Sequence, residues 1–335
     1  MTDERFRLRT REDVEKLEDE LLAPGATRAS ASRGRQIPEI PDANRTAFER
    51  DRDRVLHSKA FRRLKHKTQV FMNPEGDHYV TRLTHTLNVT QIGRSIARYL
   101  SLNEPLTEAI CLGHDVGHSP FGHTGEEALS EFVHTEWSHA AQSVRIYQVL
   151  EPLNLTWEVT EAIARHPWRV EIGPSTPEGQ IVRFADRIAY LAHDAEDALR
   201  AGVLRVDQLP GSAVAALGEP GRQWIDTTIH SVVEESMRTG EIAMDPLLLD
   251  VMHELRTFMF QRVYLRPAME PQRRRAKDIV RGLVSYFLEH PHEIPASYRH
   301  EQSDTLTQVI DYVAGMTDRF AIRIHDGLFR PSLFD

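Results

Sequence analysis

The chain has 335 residues, 40% of them hydrophobic, and its 50 acidic and 41 basic residues give a net charge of −9. This composition is typical of a globular protein with a large core and argues against a nucleic-acid coat protein. No apolar run reaches the roughly 18 residues of a membrane span, and the N-terminus lacks a signal-peptide pattern. Cys111 is the single cysteine, which excludes an internal disulfide. We therefore expect a cytoplasmic protein without membrane contact.

Helical periodicity dominates the chain and predicts an all-α fold. Three regions follow from the pattern: residues 1–43 as an N-terminal helix and irregular connector, 44–202 as a core, and 203–335 as a helical region packed on it. Residues 72–79 contain a turn and could form a short hairpin, so any sheet is minor. Within these regions the predicted helices span residues 11–22, 45–66, 83–101, 105–116, 124–133, 138–150, 156–165, 178–201, 206–216, 220–239, 244–263, 271–290 and 303–324.

One segment of this acidic chain is locally basic. Residues 45–67 hold nine Lys or Arg against three Asp or Glu. The alternating signs favour a solvated helix face, while part of the segment could instead line a nucleotide or subunit interface. Aromatic residues make up only 7% of the chain and are not interleaved with basic ones. A stacking platform for single-stranded nucleic acid is therefore weakly supported.

Four widely spaced residues suggest a metal site: His85, the pair His114 and Asp115, and Asp186. Mixed nitrogen and oxygen ligands suit a catalytic divalent ion better than structural zinc. Each residue alone could be a hydrogen-bonded core or cap residue. The adjacent pair favours a bound cation at this point. Burial of an acid beside an inward-facing histidine is costly unless a positive charge neutralises the acid. The pattern indicates a hydrolase.

The segment from Gly113 to Glu126 concentrates three histidines, two acids and four glycines in fourteen residues. Glycines allow close backbone approach, and Pro120 ends the helix so that His118 and His123 lie on a turn. Further along, three polar residues recur at four-residue spacing and form one stripe of a helix. This stripe could bind a phosphorylated or polyhydroxylated molecule, or it could be a solvated acidic face; it consists of Asp186, Tyr190 and Asp194.

Several motifs together resemble the HD-domain deoxynucleoside triphosphate triphosphohydrolases, specifically the bacterial dGTPase-like group. They are Gln69, the run 81–87, the segment 113–126 and the run 186–190. The resemblance extends from about residue 45 to residue 320. The His, His-Asp and Asp quartet is common to all HD hydrolases, whereas Gly-His-Asp-x-Gly-His-x-Pro-Phe-Gly-His, with a glutamate three residues later, is more specific.

The resemblance implies an HD metal-dependent phosphohydrolase core that converts a dNTP, such as dGTP, to the 2′-deoxynucleoside and inorganic triphosphate. Water would attack the α-phosphorus with the help of a divalent ion, for which Mg, Mn, Fe, Ni, Co and Zn all remain open. The implied metal ligands are His85, His114, Asp115 and Asp186. The implied catalytic residues are His123, oriented by Glu126 to protonate the leaving 5′ oxygen, and His139.

The resemblance also implies substrate contacts: Arg82, His118, Arg187 and Tyr190 to the triphosphate, and Gln69 and Asp194 to the deoxyribose. In one position the sequence departs from the family, which usually has Asn after the active-site histidine. Here Ala140 follows His139, and its methyl group cannot hydrogen-bond. A homo-oligomer and a dNTP activator at a second site are further expectations, although no residue identifies that site.

Two alternatives remain at the level of the sequence. Another HD phosphohydrolase, a 5′-nucleotidase or a phosphodiesterase, would share the metal quartet but not the combination of Arg82, His123 and Glu126. A regulatory protein that binds nucleotides or single-stranded nucleic acid without turnover would keep the fold. Such a protein would not need to retain every candidate metal-ligating residue.

Overall fold

The protein is described by a computed structural model that covers residues 6–69 and 80–330. These residues form fifteen α-helices joined by turns and by longer irregular segments, such as residues 22–46 between the first two helices. Their only strand-like pairings are two isolated antiparallel bridges, Arg35 with Thr156 and Thr68 with Thr81. The all-α prediction is confirmed. The predicted hairpin at 72–79 lies outside the described residues, and among those residues no helix is both long and apolar enough to cross a membrane.

The first nine helices include those that carry the candidate site residues. They are Arg11–Leu21 (α1), Ala47–His57 (α2), Lys59–Arg63 (α3), Arg82–Tyr99 (α4), Glu104–Gly113 (α5), His123–Ser130 (α6), His139–Arg145 (α7), Trp157–Arg165 (α8) and Pro177–Arg200 (α9). The remaining six are Gly211–Leu217 (α10), Arg222–Thr239 (α11), Pro246–Met259 (α12), Glu270–Glu289 (α13), Thr305–Ala314 (α14) and Asp318–Phe329 (α15).

Two predicted helices are each divided by a hydroxyl side chain that starts a new helix. The helix predicted at 45–66 is interrupted at Ser58, whose hydroxyl accepts the Phe61 N–H at 3.1 Å. The helix predicted at 303–324 is interrupted before Thr317, whose hydroxyl accepts the Phe320 N–H at 3.3 Å. A side chain that satisfies a free N–H favours helix initiation even where the apolar period continues. Both continuous-helix predictions are therefore wrong at these points.

Close packing of α4, α5 and α9 forms the centre of the larger core. Gly93 in α4 has no side chain where α5 approaches: a Cβ there would lie 2.8 Å from Cys111 Sγ and 3.6 Å from the Ala185 Cβ of α9. The three helices can therefore approach within side-chain contact of one another. This close approach brings together polar residues from three distant parts of the chain.

A second apolar cluster joins α6 to the C-terminal helices α13, α14 and α15. Phe121, Ala128 and Leu129 pack there with Val280, Leu283 and other buried residues. The contact is reinforced by Asp318, whose Oδ1 accepts the Phe121 N–H at 3.0 Å. The loop before α6 is thus held by the C-terminal part of the chain.

Four of the nine cations in the basic segment 45–67 are charge-paired in the structure. Arg45 contacts Asp42 and Asp53 at 2.8 and 2.9 Å. Lys67 is only 3% exposed, and its ammonium donates to the carbonyl oxygens of His118 and Ala314. The arginines therefore match the interpretation of a solvated, alternating helix face, whereas Lys67 is a buried exception to it.

The irregular connector between α1 and α2 is anchored by buried carboxylates. Asp51 is fully buried; it pairs with Arg35 of the connector and also accepts the Thr156 N–H at 2.7 Å. Two residues later, the partly exposed Asp53 pairs with Arg45 and Arg52. Charge pairs in these two environments differ strongly in their contribution to stability.

We expect Asp51→Ala to lower the free energy of unfolding by about 3–5 kcal/mol, because it leaves a buried guanidinium without its partner. Asp53→Ala, on the same helix, should cost less than about 1 kcal/mol. Urea unfolding of both variants measures the difference. Equal losses would show that the Arg35–Asp51 pair does not anchor the connector.

Candidate metal centre and active site

Three of the four predicted metal ligands lie in one cluster, and the fourth, Asp115, borders it. His85 projects from α4, His114 and Asp115 follow α5, and Asp186 projects from α9. Asp186 Oδ1 lies 3.1 Å from His85 Nε2 and 3.8 Å from His114 Nε2. His114 Nε2 also lies 3.6 Å from Asp115 Oδ1. His85, His114 and Asp186 therefore converge on one small volume, whereas Asp115 contacts this group at His114 and faces a second group of histidines.

The hydrogen bonding of His114 fits a metal ligand. Its Nδ1 lies 2.6 Å from the Cys111 carbonyl oxygen, to which it can only donate, so Nε2 is the atom available to a cation. That Nε2 is buried and has no hydrogen-bond partner. Burial opposes a charged ring, but Asp115 and Asp186 raise the pKa of His114 to about 9. The carboxylates thus favour a positive charge here, and a metal ion would replace the proton.

Asp115 is held from its opposite side by two further residues. Arg82 Nη1 donates to its Oδ2 at 2.6 Å, and His118 Nε2 lies 3.0 Å from its Oδ1. Burial alone would raise the pKa of Asp115, but Arg82 and His118 hold it well below the usual range. Arg82 and His118, which the resemblance assigns to the triphosphate, therefore also contact a predicted metal ligand.

Glu126 connects the three histidines beside the cluster. Its Oε1 lies 2.5 Å from His118 Nδ1 and 3.0 Å from His139 Nδ1, and its Oε2 lies 3.3 Å from His123 Nδ1. Burial would raise the pKa of Glu126, but His118 and His139 hold it well below the usual range. The buried carboxylate is therefore an anion surrounded by imidazoles.

His123 is the member of this group that is open to solvent, with 69% of its side chain exposed. The surrounding protein disfavours its charged form, yet the hydrogen bond to Glu126 outweighs this effect and raises the pKa of His123. An accessible imidazole whose pKa is raised by a carboxylate has the properties of a general acid.

The stripe along α9 continues away from the cluster. Burial raises the pKa of Asp194 to about 7, and Tyr264 donates its hydroxyl to Asp194 Oδ2 at 2.7 Å. Burial also raises the pKa of Tyr190 to about 12, so its hydroxyl remains protonated. Asp194 and Tyr190 therefore present polar groups from a largely buried helix rather than from a solvated acidic face.

Arg187 is a buried cation with free donors. It is 7% exposed, its guanidinium carbon lies 3.8 Å from the centre of the Trp168 ring, and its Nε and Nη1 have no hydrogen-bond partner. Arg256 of α12 interacts with the nearby Tyr190 hydroxyl. Free guanidinium donors beside a hydroxyl are well suited to phosphate oxygens.

Gln69 lies at the edge of the described residues, beside Arg82. Arg82 Nε donates to the carbonyl of the preceding Thr68 at 3.2 Å, and the Gln69 Oε1 is buried without a hydrogen-bond partner. Gln69 is therefore adjacent to the cluster with an acceptor available. Its role at the deoxyribose stays a prediction, as do the roles of the other candidate residues.

The sequence did not indicate four residues that complete this region: Trp168, Arg256, Tyr264 and His166. His166 follows α8 and lies with its Nε2 3.3 Å from His139 Nε2. A histidine at a helix end before proline is usually a cap, so its pattern carries no functional signal. Trp168 lies in a loop. Arg256 and Tyr264 lie in or directly after the predicted helix 244–263, whose periodicity indicated only packing.

Comparison with known proteins agrees with this geometry. The HD domain model matches residues 82–191, and the phosphohydrolase-associated domain model matches residues 242–327. A deoxyguanosinetriphosphate triphosphohydrolase-like protein of Caldanaerobacter subterraneus is 46% identical, covering 97% of each chain. One of Desulfatibacillum aliphaticivorans is also 46% identical, covering 96% of this chain and 98% of its own.

Among solved structures, a hypothetical protein from Aquifex aeolicus has a TM-score of 0.48 and 22% identity over 85% of this chain and 69% of its own. The family assignment depends instead on the two domain matches and on the near full-length relatives. This chain belongs to the dGTPase-like family of HD-domain phosphohydrolases.

Proposed function

We propose that this phosphohydrolase cleaves dNTPs, with dGTP as one candidate, to the 2′-deoxynucleoside and inorganic triphosphate. One observation carries the proposal: the solvent-open His123 is held by Glu126 and meets the ring of His118, which in turn contacts the predicted metal ligand Asp115. A general acid next to a metal site is what hydrolysis with a poor leaving group requires. The names of the relatives support the same substrate class.

The residues His85, His114, Asp115 and Asp186 would hold the divalent ion. When bound, the ion would polarise the α-phosphate and lower the pKa of the attacking water. Two imidazoles and two carboxylates can accommodate Mg, Mn, Fe, Ni, Co or Zn. The buried Nε2 of His114, which lacks a protein partner, is the strongest support for this assignment.

His123 would protonate the departing 5′ oxygen. The deoxynucleoside alkoxide is a poor leaving group, and the raised pKa of His123 favours the protonated ring near neutral pH. Glu126 orients this ring through Nδ1, which leaves Nε2 directed away from the carboxylate. His118 and His139 in turn hold the Glu126 carboxylate.

The triphosphate would be bound by Arg187 and Tyr190, joined by Arg256 from the C-terminal region. Arg187 has two unpartnered nitrogens, so it can bind phosphate without giving up an existing hydrogen bond. Arg82 and His118 already contact Asp115 and would reach a phosphate only at the edge of the cluster.

The deoxyribose would lie near Asp194, Tyr264 and Gln69. Asp194 and Tyr264 form a buried hydrogen-bonded pair that can receive the 3′-hydroxyl. A polar pocket built for one hydroxyl discriminates against sugars that do not fit it. The homo-oligomer, the activating dNTP at a second site and the cytoplasmic location all stay predictions.

The reaction is tested by incubating metal-loaded protein with each dNTP, singly and in pairs, and identifying the products. We expect deoxynucleoside and inorganic triphosphate, with GTP hydrolysed at least about tenfold more slowly than dGTP. Release of orthophosphate or pyrophosphate would instead favour another HD phosphohydrolase. Equal rates on GTP and dGTP would contradict the sugar pocket.

Two variants separate metal binding from proton transfer. Asp115→Ala should lose both the bound metal and turnover, because it removes a ligand charge from the cluster. His123→Ala should retain the metal but lower kcat by about 10²- to 10⁴-fold. Elemental analysis and steady-state kinetics measure both effects. Full metal content and activity in the first variant, or metal loss in the second, would contradict the assigned roles.

The titration of Asp194 predicts a pH-dependent KM. Its pKa of about 7 makes the side chain neutral below and anionic above that pH, and the anion accepts a stronger hydrogen bond from the 3′-hydroxyl. We expect KM to fall about three- to tenfold between pH 6 and 8. Asp194→Asn stays neutral, so its profile reports only the titration of the substrate phosphates. Identical profiles for the two proteins would refute this role.

A further inference from the structure

His166 is locked in one tautomer by its position after α8. It is 1% exposed, and its Nδ1 lies 2.8 Å from the Ile163 carbonyl oxygen. Because a carbonyl oxygen only accepts, Nδ1 carries the ring proton. The Nε2 of the neutral ring therefore presents a lone pair, and this lone pair points towards His139.

His139 spans two acceptors. Its Nε2 lies 3.3 Å from the His166 Nε2, and its Nδ1 lies 3.0 Å from Glu126 Oε1. With the lone pair of His166 on one side and a carboxylate on the other, both ring nitrogens of His139 face an acceptor. The ring is thereby fixed at its two opposite ends.

Other contacts of His139 do not fix this orientation. The His118 ring stacks on it with centroids 3.9 Å apart and an interplanar angle of 13°. A stack sets the plane of a ring but accommodates both orientations that are related by a half-turn about the Cβ–Cγ bond. Ala140, the next residue, offers only a methyl group. In the described residues, the hydrogen bonds of the His139 ring go to Glu126 and His166.

We propose that His166 is a positioning residue for His139 and, through it, for the Glu126 carboxylate that orients His123. This inference rests on the proposed function, in which His123 protonates the leaving oxygen. The His166 side chain is shielded from solvent, so it acts only through its neighbour His139. It supplies the hydrogen bond that the side chain of Ala140 cannot make.

A different role for His166 would be simple packing. Its ring meets the edge of the His114 ring, with centroids 5.1 Å apart and an interplanar angle of 83°. If filling this space were its only purpose, any substitution of similar size should have similar consequences. Two variants distinguish the two roles. One keeps a donor at the position of Nδ1, and the other keeps an acceptor at the position of Nε2.

His166→Asn can keep a donor to Ile163 but is too short to offer an acceptor to His139. His166→Gln can extend an amide oxygen to the position of Nε2. We expect the Asn variant to lower kcat about 10- to 100-fold, with KM, metal content and Tm close to those of the wild type. The Gln variant should stay within about threefold of the wild-type kcat. A full kcat in the Asn variant, or an equal loss in both, would overturn the proposal.

His290→Asn is a matched control. His290 also follows a helix, α13, and its Nδ1 lies 3.0 Å from the Tyr286 carbonyl oxygen, but its ring stacks on Tyr286 rather than on a site residue. Its kcat should equal that of the wild type. A loss equal to that of His166→Asn would show that any helix-end histidine matters, and would refute a specific role.

Crystal structures of the His166 variants give a readout that does not depend on turnover. The His139 Nδ1 to Glu126 Oε1 contact should lengthen or break in the Asn variant and persist in the Gln variant. An unmoved His139 ring in the Asn variant would contradict positioning. If the wild type releases no triphosphate from any dNTP, the proposed function fails, whereas this structural comparison still decides the role of His166.

Discussion

Three carboxylates in a helical core impose the constraint on which the rest of the site depends. Asp115, Glu126 and Asp186 lie among packed helices, where an unpaired charge is far costlier than in water. Each is compensated by cationic or hydrogen-bonding groups: Arg82 and His118 at Asp115, three imidazoles at Glu126, and two at Asp186. His85, His114 and Asp186 could hold a divalent metal ion, which would supply a further positive charge beside Asp115.

The same constraint divides the histidines into two groups. His85 and His114 contact Asp186, a predicted metal ligand, while His123 and His139 contact Glu126. His118 links the groups, because it contacts both Asp115 and Glu126. The predicted metal ligand Asp115 and the proposed proton donor His123, which Glu126 holds, are thus connected through the contacts of His118. A substitution on one side is expected to affect the other mainly through His118.

Local chemistry explains how much of this arrangement the sequence could predict. The apolar period predicted the helices correctly as a class, but it could not detect where Ser58 or Thr317 starts a new helix, since a single hydrogen bond decides that point. The grouping of His85, His114 and Asp186 was predictable because these residue types have few other uses in a core. Tyr264 and His166 were not, because their partners Asp194 and His139 are distant in sequence.

The proposed reaction depends most on which atom of the dNTP the water attacks. Hydrolysis of a dNTP in ¹⁸O-labelled water, followed by mass spectrometry of both products, reports this directly. Attack at the α-phosphorus predicts one labelled oxygen in the inorganic triphosphate and none in the 2′-deoxynucleoside. Label in the nucleoside hydroxyl, or in released orthophosphate or pyrophosphate, would contradict a site built from the metal cluster and the His123–Glu126 pair.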